Sequence, residues 1–162
     1  MSRRFAFTAV ILVLYGVLLA HRYRPHPRSG AEQDHQPALY GGLIVPIRAD
    51  RYYAEVVVEE GGILKLYTLG RDESRVIDVE EQTLTASVQA TSNASAFPMP
   101  LRPAPQPGDA PGKTSLFVGQ LPAGCLGQAI QVTVPALWID GERFCFGFAL
   151  TGREQGPGMP DE

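Results

Sequence analysis

Five side chains in this 162-residue chain have the chemistry of nucleophiles or soft metal ligands: His21, His26, His35, Cys125 and Cys145. The histidines are separated by five and nine residues, spacings that match neither a helical metal pair nor a zinc finger. Solvated linker imidazoles are the plain reading, and loose capture of Cu or Zn by a histidine tract is the alternative. No histidine follows His35, so His-based triads, Cys–His dyads and His-containing zinc sites are excluded from the remainder of the chain. Cys125 lies in a Gly-flanked stretch, Ala123-Gly124-Cys125-Leu126-Gly127, and Cys145 in a β-rich run. Three readings stay open for this pair: two free thiols, a disulfide closing a loop of about twenty residues and contributing ~3 kcal/mol, or a two-thiolate Cu(I) site. His26, His35, Cys125 and Cys145 are therefore the candidate metal ligands.

The carboxylates offer less. Glu59-Glu60, Asp72-Glu73 and Asp78-Val79-Glu80-Glu81 fall in turns without EF-hand spacing. Paired acids could serve glycoside hydrolysis, but solvated turn residues are the simpler account. Gly41-Gly42 and Gly61-Gly62 belong to no dinucleotide fingerprint or P-loop. Asn93-Ala94-Ser95 fits a glycosylation sequon that matters only in a eukaryotic secretory setting. The expectation is a protein that is not an enzyme, with no catalytic residue and no resident cofactor.

The elements that would position these residues divide unevenly. Residues 1–30 carry five arginines and no acid; the rest carries nine basic and seventeen acidic residues, so a +5 segment precedes a −8 domain. Such a split suggests a targeting or membrane segment joined to a soluble domain. Phe5 to Ala20 is uncharged and continuously apolar apart from Thr8. Its sixteen residues span ~24 Å as helix, and snorkelling by Arg4 and Arg22 can complete a bilayer crossing. A cleaved signal peptide is the rival reading and a buried core helix the third. The cleavage end fits poorly, because Leu18-Leu19-Ala20 has a large residue where a small one is wanted. The predicted organisation is an anchor or signal over 1–22, a flexible linker over 23–37, a folded domain over 38–151 and a disordered tail over 152–162. The 17 Gly and 14 Pro make about a fifth of the chain, above the usual ~12%. Collagen-like repetition, a long coiled coil, a polytopic membrane protein and a polybasic nucleic-acid binder are excluded.

From Ala38 onward no window holds a 3.6-residue period. Short β-rich runs recur between turn signals, and they predict an all-β, Ig-like β-sandwich preceded by one transmembrane helix. The predicted strands are Gly42–Ile47, Tyr52–Glu59, Ile63–Leu69, Val76–Val79, Thr83–Gln89, Thr114–Gly119, Ile130–Val134, Leu137–Ile139 and Arg143–Leu150. Glu59-Glu60-Gly61-Gly62 and Asp140-Gly141 predict hairpins. Phe144, Phe146, Phe148 and Leu150 should face the core and Cys145 should not. Tyr52, Ala54, Val56 and Val58 should point inward, with Glu55 and Glu59 outward. Phe97–Gly112, with six prolines, cannot be a central strand; it reads as an extended crossover between sheets or an exposed polyproline loop.

Several runs together carry a resemblance. They are Tyr40-Gly41-Gly42-Leu43-Ile44-Val45-Pro46, Tyr52-Tyr53-Ala54-Glu55, Leu66-Tyr67-Thr68-Leu69-Gly70, Pro105–Leu121 and Asp140-Gly141-Glu142-Arg143-Phe144. The chain resembles, over about residues 39–150, a group of bacterial extracytoplasmic β-domains with the pattern HGG, then E, then a Leu-Tyr strand, then PGDAPGKTS. Members of that group are found beside the periplasmic adaptor subunits of heavy-metal efflux systems. With the apolar anchor, the spacer and the absent catalytic set, the resemblance leads to the expectation of a single-pass membrane protein with its domain on the extracytoplasmic side, a non-catalytic accessory or interaction module in an envelope protein complex; the composition argues against a nucleic-acid partner. Where the pattern has histidines this chain has Tyr40 and Tyr52-Tyr53. The resemblance therefore bears on location and fold more than on metal. The second functional expectation is a periplasmic Cu/Zn-binding module using the linker histidines and the two cysteines.

Overall fold

Strand-forming residues interrupted by left-handed turn positions give this chain its structure. The computed structural model describes residues 38–48, 51–91 and 95–152, all within the compact unit Asp34–Glu162. The ten strands among them are β1 (Leu43–Arg48), β2 (Tyr52–Glu59), β3 (Ile63–Leu69), β4 (Val79–Glu80), β5 (Leu84–Ala90), β6 (Ala96–Pro103), β7 (Lys113–Thr114), β8 (Leu116–Gln120), β9 (Ile130–Ile139) and β10 (Glu142–Leu150). Two 3-10 turns are the helical elements of the described residues, and none of their helices is long and apolar enough to cross a membrane. The segment Phe5 to Ala20, the linker histidines and the tail beyond Gly152 lie outside the described residues.

The fold is all-β. Eight strands form one antiparallel sheet in the order β1-β2-β3-β8-β6-β5-β9-β10, and β4 pairs with β7 separately. Here the ladder runs unbroken through β6, which pairs with β5 along Ala96–Leu101 and with β8 at Arg102 and Pro103. The proline-rich segment makes this join. Ala104 donates its N–H to the Leu116 carbonyl at 2.9 Å, so alternate residues of β6 turn their amides toward β8. Pro98 and Pro100 share that parity, and their missing donors fall where β8 makes no ladder. The residues between them, Phe97, Met99 and Leu101, remain free to pair with β5. Pro103 has the opposite parity and lies beyond the end of the β5 ladder. The expectation that this segment cannot be a central strand is corrected: Ala96–Pro103 lies between β5 and β8, and its prolines are tolerated because each falls on an unladdered side.

One core joins both halves of the sheet. Ala54, Val56, Leu64, Leu66 and Phe117 meet Leu84, Val88, Leu101, Val132, Val134 and the Phe144, Phe146, Phe148 row in a single cluster. The expected break between Val134 and Leu137 is a bulge within one strand. Leu137 pairs with Phe144 and Val134 with Phe146, leaving Pro135 and Ala136 opposite Cys145. The extra residue keeps Val134 and Leu137 both inward and accommodates Pro135. Asp140 and Gly141 have φ of 50° and 77°, the two left-handed positions of a type I′ hairpin. The end strands β1 and β10 meet through side chains. Arg51 and Arg48 reach Glu142 at 3.0 and 3.6 Å, the Tyr52 hydroxyl donates to Asp140 at 3.3 Å, and the Tyr52 ring sits edge-on to Phe144 at 5.4 Å.

Gly119 marks the tightest point of the crossover. A Cβ there would lie 2.6 Å from Leu101 Cδ2 and 2.8 Å from the Pro100 carbonyl oxygen. Gly119→Ala is expected to destabilise the fold by about 1–3 kcal/mol through overpacking. Gly124→Ala, where nothing lies within 4 Å, should change stability by less than about 1 kcal/mol. Urea unfolding of both variants checks this, and equal effects would contradict the close crossing.

Candidate functional site

The residues of the Tyr-Gly-Gly, Glu and Leu-Tyr runs converge on the outer face of β2 and β3. Glu55 alternates with Ala54 and Val56 and therefore points away from the core, as its position predicts, yet it is 0% exposed. The reason is the segment Leu39–Gly42, which enters β1 across this face as a strap. Glu55 Oε2 accepts the Leu39 N–H at 3.0 Å, and Oε1 accepts the N–H groups of Tyr40 at 2.7 Å and Gly42 at 2.8 Å. Gly41 makes the turn with φ of 76°. Gly42 admits no side chain, because a Cβ would fall 2.4 Å from the Val56 carbonyl oxygen. Glu55 is directly opposite Tyr67 in the β2–β3 register. The Tyr40 ring stacks on that tyrosine at 3.9 Å and 12° between planes. Burial holds the Tyr67 hydroxyl above the usual phenol range, partly opposed by Lys65.

Both oxygens of the carboxylate are thus occupied by backbone donors. Such a group, fully buried and accepting three amides of its own chain, orients a chain segment. The other buried polar side chains behave alike. Thr68 donates to the Ile77 carbonyl at 2.6 Å, Thr114 to the Leu116 carbonyl at 2.8 Å, and Ser115 gives its N–H to Asp109 at 2.9 Å. Asp109 also accepts the Gln106 N–H at 2.7 Å, closing the Pro-Gly-Asp-Ala-Pro-Gly loop. Burial pushes the Asp109 carboxyl up, but the Gln106 and Ser115 donors outweigh it and hold the group below the ordinary aspartate range.

The candidate ligands from the sequence are placed apart or lie elsewhere. Both cysteines are free thiols. Cys125 is buried in a 3-10 turn among core side chains, and Cys145 is exposed on the outward side of β10. His26 and His35 lie outside the described residues. Among the described residues no group of three or more His, Cys, Asp or Glu side chains converges as a metal site. The residue that sequence reasoning missed is Glu55, and the signal that could have found it is an acid centred in an apolar strand beside a Tyr-Gly-Gly entry. A second feature is Trp138, 47% exposed on β9. The Gln82 side chain fixes its backbone twice, accepting the Trp138 N–H and donating to the Trp138 carbonyl, each at 2.9 Å.

Comparison with family models, with curated proteins and with solved structures returns no match.

Two outcomes follow from this geometry. Glu55→Gln exchanges an acceptor for an amide donor facing backbone N–H groups and should destabilise by about 2 kcal/mol. Glu60→Gln, on the exposed turn, should stay within about 0.5 kcal/mol. Equal losses in urea unfolding would contradict the strap. Because the folded-state pKa of Asp109 is depressed, its contribution is present above the unfolded aspartate pKa of ~3.9 and is lost as pH falls through the lower folded value. Unfolding curves at pH 7 and pH 3 should therefore differ less for Asp109→Asn than for the parent, and identical pH dependence would refute it.

Proposed function

We propose that the chain is a membrane-anchored, extracytoplasmic β-domain acting as a non-catalytic interaction module in a bacterial envelope complex, with metal efflux as its setting. The carrying observation is Glu55. Its buried carboxylate accepts three amides of its own chain, an arrangement that fixes a scaffold. The apolar run Phe5 to Ala20 supports the anchor, and the Pro-rich stretch to residue 37 supports a spacer between anchor and domain. The resemblance of the Tyr-Gly-Gly, Leu-Tyr and Pro-Gly-Asp-Ala-Pro-Gly-Lys-Thr-Ser runs supports the extracytoplasmic setting. Trp138, presented on a doubly fixed backbone, has the rigidity and amphipathic character that recognition surfaces favour.

The two thiols give a direct test of sidedness. A membrane-impermeant maleimide applied to intact cells should modify Cys145 without prior reduction, and Cys145→Ser should abolish the signal. Cys125 should react only after denaturation. Labelling that appears only after permeabilisation would place the domain on the cytoplasmic side and overturn the proposal. Crosslinking in the same intact cells should return a reproducible envelope partner, and none would count against the module.

A further inference from the structure

The two ends of the large sheet differ in charge. Its neighbouring strands are antiparallel throughout. The start of β1, the β2–β3 turn, the β8–β9 connection, the ends of β5 and β10 and the start of β6 therefore share one end. Hydrogen bonds knit this end into a rim. The Leu121 N–H donates to the Gly62 carbonyl at 2.9 Å and the Thr91 N–H to the Ala129 carbonyl at 2.8 Å. The Gln120 side-chain amide donates to the Gly61 carbonyl at 2.7 Å. Among the described residues, the charged side chains of the rim are Glu59, which pairs with Lys65, and Glu60. Residues 121–129 carry no charge and expose Ala123, Gly124, Leu126 and Gly127. The opposite end is rich in charge. The segment that follows β3 there holds Arg71, Asp72, Glu73, Arg75 and Asp78.

Two large apolar side chains stand exposed on the charge-poor rim. Leu126, 40% exposed, follows the 3-10 turn Ala123–Cys125 and lies over Gly62, where a Cβ would meet its Cδ2 at 2.3 Å. Phe97 has the inward parity of the buried Met99 and Leu101, yet at the start of β6 it is 38% exposed. The 3-10 turn lies beside β5, and Phe97 pairs with Val88 near the end of that same strand.

We infer that this end of the domain rests on the surface of a lipid bilayer, with Leu126 and Phe97 entering the interfacial layer. The inference rests on the anchored reading and adds the face that meets the bilayer. The chain outside the domain argues for lipid as the occupant. Residues 21–37 reach at most about 60 Å even when fully extended. A domain tethered in this way to an anchor ending at Ala20 meets the bilayer at high effective concentration. Two apolar side chains are too few to hold a free domain on lipid; under such a tether they suffice to select which end faces it. The sparse charge of the rim keeps the desolvation on contact small, whereas the opposite end would have to strip water from many ionised groups. Trp138, near the end of β9 on that opposite side, is then presented away from the bilayer.

The test uses the full chain reconstituted into phosphatidylcholine vesicles, and Trp138 is its single tryptophan. Phosphatidylcholine brominated on the acyl carbons nearest the headgroup quenches an indole that enters the interfacial layer. Leu126→Trp and Phe97→Trp, each combined with Trp138→Phe, should lose emission at least about threefold in brominated vesicles, and the parent less than about 1.2-fold. Adding Leu126→Glu to the Phe97→Trp, Trp138→Phe chain should recover at least about half of the lost emission, because a carboxylate resists entry. In chains that float with the vesicles, introduced tryptophans quenched no more than Trp138 would overturn the docking and leave the anchor standing. Strong and equal quenching at all three positions would overturn it too, since no end would then be preferred. A chain that fails to float with vesicles removes the anchored reading itself, and the docking with it.

Discussion

The carboxylate of Glu55 sits where water is excluded, and the three strap amides make that position tolerable. A buried charge without partners is disfavoured by several kcal/mol, so an acid in the middle of β2 obliges some part of the chain to fold over it. Leu39–Gly42 is that part. Two consequences follow locally. The turn must pass through a left-handed glycine at Gly41, and Gly42 must lack a side chain so that the strap can approach Val56. The Tyr40–Tyr67 stack then seals the edge of the clamp with an apolar contact. The first residues of the domain are thereby fastened to the sheet before β1 begins, which gives a firm attachment point to whatever precedes them.

A second constraint acts at β6. Proline removes donors at alternate positions, and the strand uses this to change neighbours. It ladders with β5 first and with β8 only at Arg102 and Pro103. At Pro100 the two strands still approach closely, since a Cβ on Gly119 would lie 2.8 Å from the Pro100 carbonyl oxygen. A single run of residues thus joins the two halves of the sheet.

Much of the framework was legible in the residues. Alternation placed Phe144, Phe146 and Phe148 inward and Cys145 outward, and Asp140-Gly141 specified its hairpin. Those features are local, and periodicity and turn chemistry determine them. The departures are tertiary. Val134 to Leu137 reads as two strands because a bulge shifts the alternation by one residue, and only the partner strand reveals it. Glu55 was assigned to the correct face, but its burial depends on a segment thirteen or more residues away folding back. The expectation that Phe97–Gly112 cannot be a central strand failed because parity relative to two neighbours, which no single strand encodes, decides whether a proline interrupts a ladder.

Amide hydrogen exchange at Tyr40 and Gly42 tests the central claim most directly. If the Glu55 carboxylate binds the strap into the fold, these two amides exchange only on unfolding of the sheet, with protection comparable to that of Leu64 and Leu66 in β3. Exchange at the rate of an exposed loop, while β3 remains protected, would contradict the account.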